Sequence, residues 1–182
     1  VFWIFMGGFE TVDLFNIVIF AQMNILIAGA RSDGHAKVVL EIIRAQNLYN
    51  VIGFIDDDES KHGSAINDVP ILTGFSSLPE LINKYNIRGG IVAIGHNSQR
   101  RLLSQFMSNH GLELINAIHP TAYLDKNVSL GKGCVLCQGS IIITGSVIGD
   151  CVNIHTGATI DHDNYISHGC NLGPGVHTAG RV

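Results

Sequence analysis

The chain is short of charge, and its basic residues do not outnumber its acidic ones. Of 182 residues 14% are Asp, Glu, Lys or Arg, with 11 basic against 15 acidic and a net charge of −4. Without a basic stripe to displace counterions from phosphates, nucleic acid is not an expected partner. Four cysteines in a chain of this length do not make a disulfide framework. Cys134 and Cys137 form one C-x-x-C, but a second pair at zinc spacing is missing, so no metal is expected. Long apolar runs are also missing. The apolar residues of the first 22 positions are interrupted by Glu10, Asp13 and Asn16, short of the ~20 needed for a membrane span. The same segment lacks the basic start of a signal peptide. Met23 then reads as a natural start, and residues 1–22 are expected to be extraneous upstream sequence. No membrane insertion and a cytoplasmic location follow from this reading.

What the chain does have is a ladder. Ile118, Leu124, Leu130, Leu136, Ile142, Ile148, Ile154, Ile160, Ile166 and Leu172 stand at every sixth position. Neither a helix, with a period near 3.6, nor a flat strand, with a period of two, produces a strict six. A six-residue repeat marks a parallel β-helix, in which short strands and turns wind into a stacked coil. The fourth position after each aliphatic is small or slim (Cys134, Ser140, Ser146, Val152, Ala158, Asn164 and Cys170 among them), which suits a narrow triangular interior. Three six-residue sides give 18 residues per coil, so residue i stacks on i+18. The repeat breaks off at Arg181 and Val182 without the cap that a solenoid needs, so truncation at the C-terminus is expected.

Before the ladder, strand-like and helix-like stretches alternate. Strands are expected at 25–28, 51–55, 91–94 and 112–118, with helices at 35–46, 78–85 and 98–109. Such alternation implies a parallel sheet with helices on its faces. Two domains are therefore expected: an α/β Rossmann-like unit over 23–117 and the β-helix over 118–182, with Pro120 at the join.

Chemistry is expected at three places. Gly29 through His35 joins the first strand to the first helix, where glycines allow close approach and a helix N-terminus offers free N–H donors. The pattern is neither G-x-G-x-x-G nor a P-loop, and spacing alone leaves an ordinary turn equally open. Asp56 and Asp57 follow the second strand, where a carboxylate can accept from a ribose hydroxyl or a base, or sit in a solvated turn. Four histidines (His155, His162, His168 and His177) lie on the coil, none at an inward position. His162 is flanked by Asp161 and Asp163, and a neighbouring carboxylate orients an imidazole and raises its basicity.

Taken together, G-A then G-H-A-K-V-V, F-I-D-D-D, I-H-P-T-A, I-D-H-D and G-P-G-V-H-T-A-G resemble the sugar O-/N-acyltransferase family of hexapeptide-repeat acetyltransferases. That family includes sialic acid O-acetyltransferases and UDP-4-amino-sugar N-acetyltransferases of surface glycan biosynthesis. The resemblance implies a left-handed coil, a homotrimer, acetyl-CoA as co-substrate and no metal. It implies a nucleotide-linked amino sugar as acceptor and direct transfer with a histidine base. His162 matches the catalytic histidine and Asp163 its acidic neighbour. Gly180 matches a glycine whose N–H contacts the acetyl oxygen, and Asn171 stands where a second histidine near the acetyl-CoA sulfur is usual. Gly29, Gly34, His35 and Lys37 match the phosphate turn, and Asp56 with Asp57 the base-contacting segment. O-acetylation of sialic acid and a non-catalytic trimer that binds nucleotide sugar stay open as alternatives. A nicotinamide oxidoreductase rests only on the Rossmann-like start.

Overall fold

A computed structural model of the chain describes residues 22–30 and 34–182. Segment 1–21, read above as upstream sequence, and residues 31–33 of the first turn lie outside the described residues.

The first unit is a six-stranded sheet flanked by helices. Its elements are β1 (Met23–Ala28), α1 (His35–Gln46), β2 (Tyr49–Ile55), β3 (Ala65–Ile66), β4 (Val69–Thr73), α2 (Leu78–Tyr85), β5 (Gly89–Val92), α3 (Asn97–Asn109) and β6 (Glu113–Leu114). The spatial order is β3-β4-β2-β1-β5-β6, parallel except for the β3–β4 hairpin. Central β1 is apolar from Ile25 to Ala28 because both of its faces are covered there. Ile25 and Ile27 pack with Val39, Leu40 and Ile43 of α1, while Leu26 and Ala28 pack with Leu78, Val92 and Met107 on the other side. Each such fully buried Ile or Leu contributes about 1.5–3 kcal/mol. Both α1 and α2 end on an asparagine in the left-handed region, Asn47 at φ 53° and Asn86 at φ 49°. The short asparagine side chain tolerates that conformation at the helix end, where glycine is usual.

The structure corrects three sequence expectations. The hairpin of β3 and β4 was not anticipated, because Pro70 obscures a strand, yet Asn67 and Asp68 both have positive φ and make the two-residue turn such hairpins favour. The strand expected at 91–94 runs instead over Gly89–Val92, where Gly89 and Gly90 hid its start and Gly90 leaves room for the Met107 side chain. The stretch 112–118 is two strands. Glu113–Leu114 closes the sheet, Ala117–Ile118 begins the coil, and Asn116 between them donates to Gly131 O and accepts from Cys134 N–H.

The coil has three faces. One carries β7 (Ala117–Ile118), β10 (Val135–Leu136), β13 (Asn153–Ile154) and β16 (Asn171–Leu172). The second carries β8 (Tyr123–Leu124), β11 (Ile141–Ile142), β14 (Thr159–Ile160) and β17 (His177–Thr178). The third carries β9 (Ser129–Leu130), β12 (Val147–Ile148) and β15 (Tyr165–Ile166). Val135 pairs with both Ala117 and Asn153, a stacking interval of 18 residues, and all rungs are parallel. The ladder aliphatics and the slim positions Cys134, Val152 and Ala158 fill the interior. Val176, another of the slim positions, is 40% exposed.

From residue 133 onward every sixth residue has positive φ: Gly133, Gly139, Gly145, Cys151, Gly157, Asp163, Gly169, Gly175 and Arg181. These are the corners, where the chain turns from one face to the next, and glycine fills most of them because it reaches that region without strain. The first face packs on α1, with Ala117, Val135 and Cys137 sharing a core with Ala36, Val39 and Ile43. Cys134 points into the coil and Cys137 into this seam, so the C-x-x-C thiols lie in different cores. Burial pushes Cys134 up to about 12 and Cys137 up to about 11, which keeps both as inert thiols.

Candidate active site

His162 sits at the corner that follows β14. The N–H of His162 donates to Asp161 Oδ1 at 2.7 Å. Asp163 is the next corner residue, and its φ of 56° turns the carboxylate back toward the ring, giving 2.9 Å between His162 Nδ1 and Asp163 Oδ2. The hydrogen bond from His162, helped by the charges of His162 and Arg181, outweighs slight desolvation and holds the Asp163 carboxyl below the usual range. As an ionised acceptor, Asp163 selects the Nδ1–H tautomer and leaves the lone pair on Nε2. One coil further on lies Gly180, and a Cβ built there would run into the imidazole at Nε2, Cε1 and Cδ2. The ring therefore rests against a bare glycine backbone. His162 and Asp163 side chains are 46% and 52% exposed, so a substrate can reach the corner.

A second site lies at the C-terminal edge of the sheet, where α/β folds hold ligands. A cleft of about 480 Å³ is lined by Gly29, Gly34, His35, Asp56, Lys61 and Gln99, among others. Gly29 has φ 94° and a Cβ there would strike Ile94, so the chain can turn only with glycine. Asp56 is tied to its own chain: it accepts from Ala30 N–H at 2.7 Å, Asp58 N–H at 3.0 Å and Lys61 Nζ at 3.1 Å. Burial would raise its pKa, and those three donors together hold it below the ordinary value. Asp57 accepts from Phe75 N–H at 2.8 Å and is not among the cleft's lining residues. Nor is Lys37, whose side chain is exposed on the first turn of α1.

His35 joins the two units. Its Nε2 lies 3.1 Å from Asn153 Nδ2 in the coil, and its ring is tilted at 46° against that of His155, with centroids 5.2 Å apart. Burial, then the neighbouring His155 and Arg100, push its pKa down to about 4, against a weaker opposing effect of the Asn153 hydrogen bond. His35 is thus a neutral imidazole at neutral pH. His155 Nε2 in turn meets Asn171 Oδ1 at 3.1 Å. Asn171 is nine residues from His162 in an 18-residue coil, half a turn away, so one chain does not bring those two side chains together.

Sequence reasoning missed Arg100. It is fully buried and donates to six oxygens: Ile94 O, Gly95 O and Asn97 Oδ1 near the cleft, and Cys151 O, Gly169 O and Cys170 O of the coil. A guanidinium has five donors in a rigid fork, and here it fastens α3 to two corners stacked one coil apart, at Cys151 and Gly169. The doublet Arg100-Arg101 on a helix face carries no sign of this, because only its neighbours in space supply the carbonyls.

Among the described residues no helix is long and apolar enough to cross a membrane. Residues 24–106 match the family described as the PglD N-terminal domain. A histidine-to-alanine variant of GDP-perosamine N-acetyl transferase from Caulobacter crescentus, in complex with CoA and GDP-perosamine, has a similar structure. The TM-score is 0.80 at 36% identity, over 86% of this chain and 71% of that one. The acetyltransferase domain of PglB from Neisseria gonorrhoeae gives a TM-score of 0.78 at 30% identity, over 87% of this chain and 75% of that one. An uncharacterized protein of Acanthamoeba polyphaga mimivirus is 34% identical over 117 residues, or 64% of this chain, and the match spans 22% of that protein's length. The Asp-supported histidine on a six-residue coil, joined to a PglD-type domain, thus has its family: the chain belongs to the hexapeptide-repeat sugar acetyltransferases.

Proposed function

We propose that the chain transfers the acetyl group of acetyl-CoA to the amino group of a nucleotide-linked sugar, with His162 as general base. The observation that carries this is the His162 corner, where the 2.9 Å contact of Nδ1 with Asp163 leaves Nε2 as an oriented, accessible base. The sugar nitrogen attacks the thioester carbonyl, a C–N bond forms and Nε2 takes the proton from nitrogen. The C–S bond then breaks, and that proton passes to the departing CoA sulfur. The Gly180 N–H serves the oxyanion. The relatives support both substrates, since the Caulobacter crescentus enzyme holds CoA and GDP-perosamine and the Neisseria gonorrhoeae domain has a form in complex with acetyl coenzyme A. An amino sugar makes nitrogen the acceptor atom.

The nucleotide takes the cleft at Gly29, Gly34 and His35, its phosphates against the first turn of α1. The active form is a homotrimer. Asn171 lies half a turn from His162, so its amide reaches the acetyl group only when a second copy supplies one of the two. Exposed apolar side chains on the two faces that meet at the His162 corner favour such packing: Tyr123 and Ile141 on one, Val147 and Tyr165 on the other. Dependence on acetyl-CoA supports a cytoplasmic location. The test is thiol release from acetyl-CoA with a panel of nucleotide amino sugars, GDP-perosamine included. Acceptor-dependent release is expected, whereas saturable nucleotide-sugar binding with no thiol release would make the chain a binding scaffold.

A further inference from the structure

We propose that Asn153, a residue of the coil, is a positioning residue that fixes His35 as an Nδ1–H donor facing the nucleotide cleft. Only the identity of the acceptor, a nucleotide phosphate, rests on the function proposed above.

The argument starts from what an amide and an imidazole can exchange. Asn153 is fully buried on β13, and its Nδ2 lies 3.1 Å from His35 Nε2 across 118 residues of sequence. An amide nitrogen only donates, so Nε2 must be the lone-pair nitrogen. The ring is neutral, because it is partly buried and because His155 and Arg100 oppose a further positive charge. Of the other charged groups around the cleft, Asp56 and Lys61 are paired with each other. A neutral imidazole has one hydrogen, and it must therefore sit on Nδ1. His35 lines the cleft, so Nδ1–H is what this ring offers a ligand there.

In this orientation Asn153 Oδ1 is buried without a hydrogen-bond partner, an unfavourable state for an amide oxygen. The reversed amide would give that oxygen a partner, but it would move the ring proton to Nε2 and turn a lone pair toward the cleft. A lone pair repels a phosphate oxygen, whereas an N–H binds it. The coil thereby sets the donor character of a residue on the first turn of the α/β unit. An outer partner that selects the tautomer of an inner histidine is a known device at other sites.

The test uses protein labelled with ¹⁵N-histidine, with the His35 resonances assigned by His35→Gln. Long-range ¹H–¹⁵N NMR should show the Nδ1–H tautomer in the wild type. In Asn153→Asp the carboxylate accepts, so the proton should move to Nε2 at pH 8, with both nitrogens protonated at pH 6. GDP and UDP are the probes for the cleft. The one that binds the wild type should bind Asn153→Asp about tenfold more weakly at pH 8, the loss of one hydrogen bond to a charged group, and recover most of that at pH 6. Asn153→Leu, which adds no charge to the seam, should release the ring into a mixture of tautomers. An Nε2–H tautomer in the wild type would overturn the proposal. So would equal weakening at both pH values, the mark of a merely structural residue. If the tautomers behave as stated but neither nucleotide binds the wild type, the positioning role stands and the nucleotide-sugar reading falls.

Discussion

His35 and Gly180 show how a neighbour in space redefines a residue. Histidine ordinarily titrates near 6.5, but the pKa of partly buried His35 is pushed down to about 4. As pH falls, the unfolded chain takes up this proton first. The stability linked to His35 is therefore fully present above pH 6.5 and is lost as pH falls from 6.5 to 4, by at most about 3 kcal/mol. Thermal melting over that window should fall less steeply for His35→Gln than for the wild type, and equal steepness would show that the ring is not held neutral. Gly180 was singled out only through the family resemblance, as an expected donor to the acetyl oxygen. The structure adds a steric reason for it, since a methyl group there collides with the His162 imidazole. Gly180→Ala should lower kcat about 100-fold through a displaced base, with the affinity for nucleotide sugar unchanged in direct titration. The pairing of His162 with Asp163 was legible because adjacent residues at a corner need no knowledge of the rest of the fold.

At the level of elements, legibility followed period and locality. The helix expected over 35–46 is α1, and the period of six is the stack of β7 to β17, because each repeats a local rule many times. Corners at Cys151, Asp163 and Arg181 could not be read, since the glycine that marks the others is replaced there. The hairpin of β3 and β4 was hidden behind Pro70, which sits on a short outer pair where proline is tolerated. Arg100 belongs to this scale too, because what it holds is the placement of α3 against the coil. Arg100→Met would strip six acceptors of their donor, several of them buried. The expected result is a loss of about 3–5 kcal/mol, read as a lower urea midpoint. An unchanged midpoint would mean that apolar packing alone holds the two units.

For the whole molecule, the cleft proposed for a nucleotide and the corner proposed for acetyl transfer lie on one chain, linked through His35 and Arg100. Asn171 and His162 lie on different sides of the coil, a consequence of nine residues being half of eighteen. Self-association through the faces that flank the His162 corner is therefore expected. Sedimentation analysis should give a trimer, and Tyr165→Glu, which puts a charge on an exposed apolar face, should shift it toward monomer with loss of turnover. A wild-type monomer with full activity would contradict a shared site.

The central claim is that His162 removes the acceptor proton during transfer, and steady-state thiol release with GDP-perosamine tests it most directly. His162→Ala should lower turnover by about 10²–10⁴-fold, the usual contribution of a general base, while GDP-perosamine binds with near wild-type affinity. Turnover equal to the wild type at the same affinity would contradict the account.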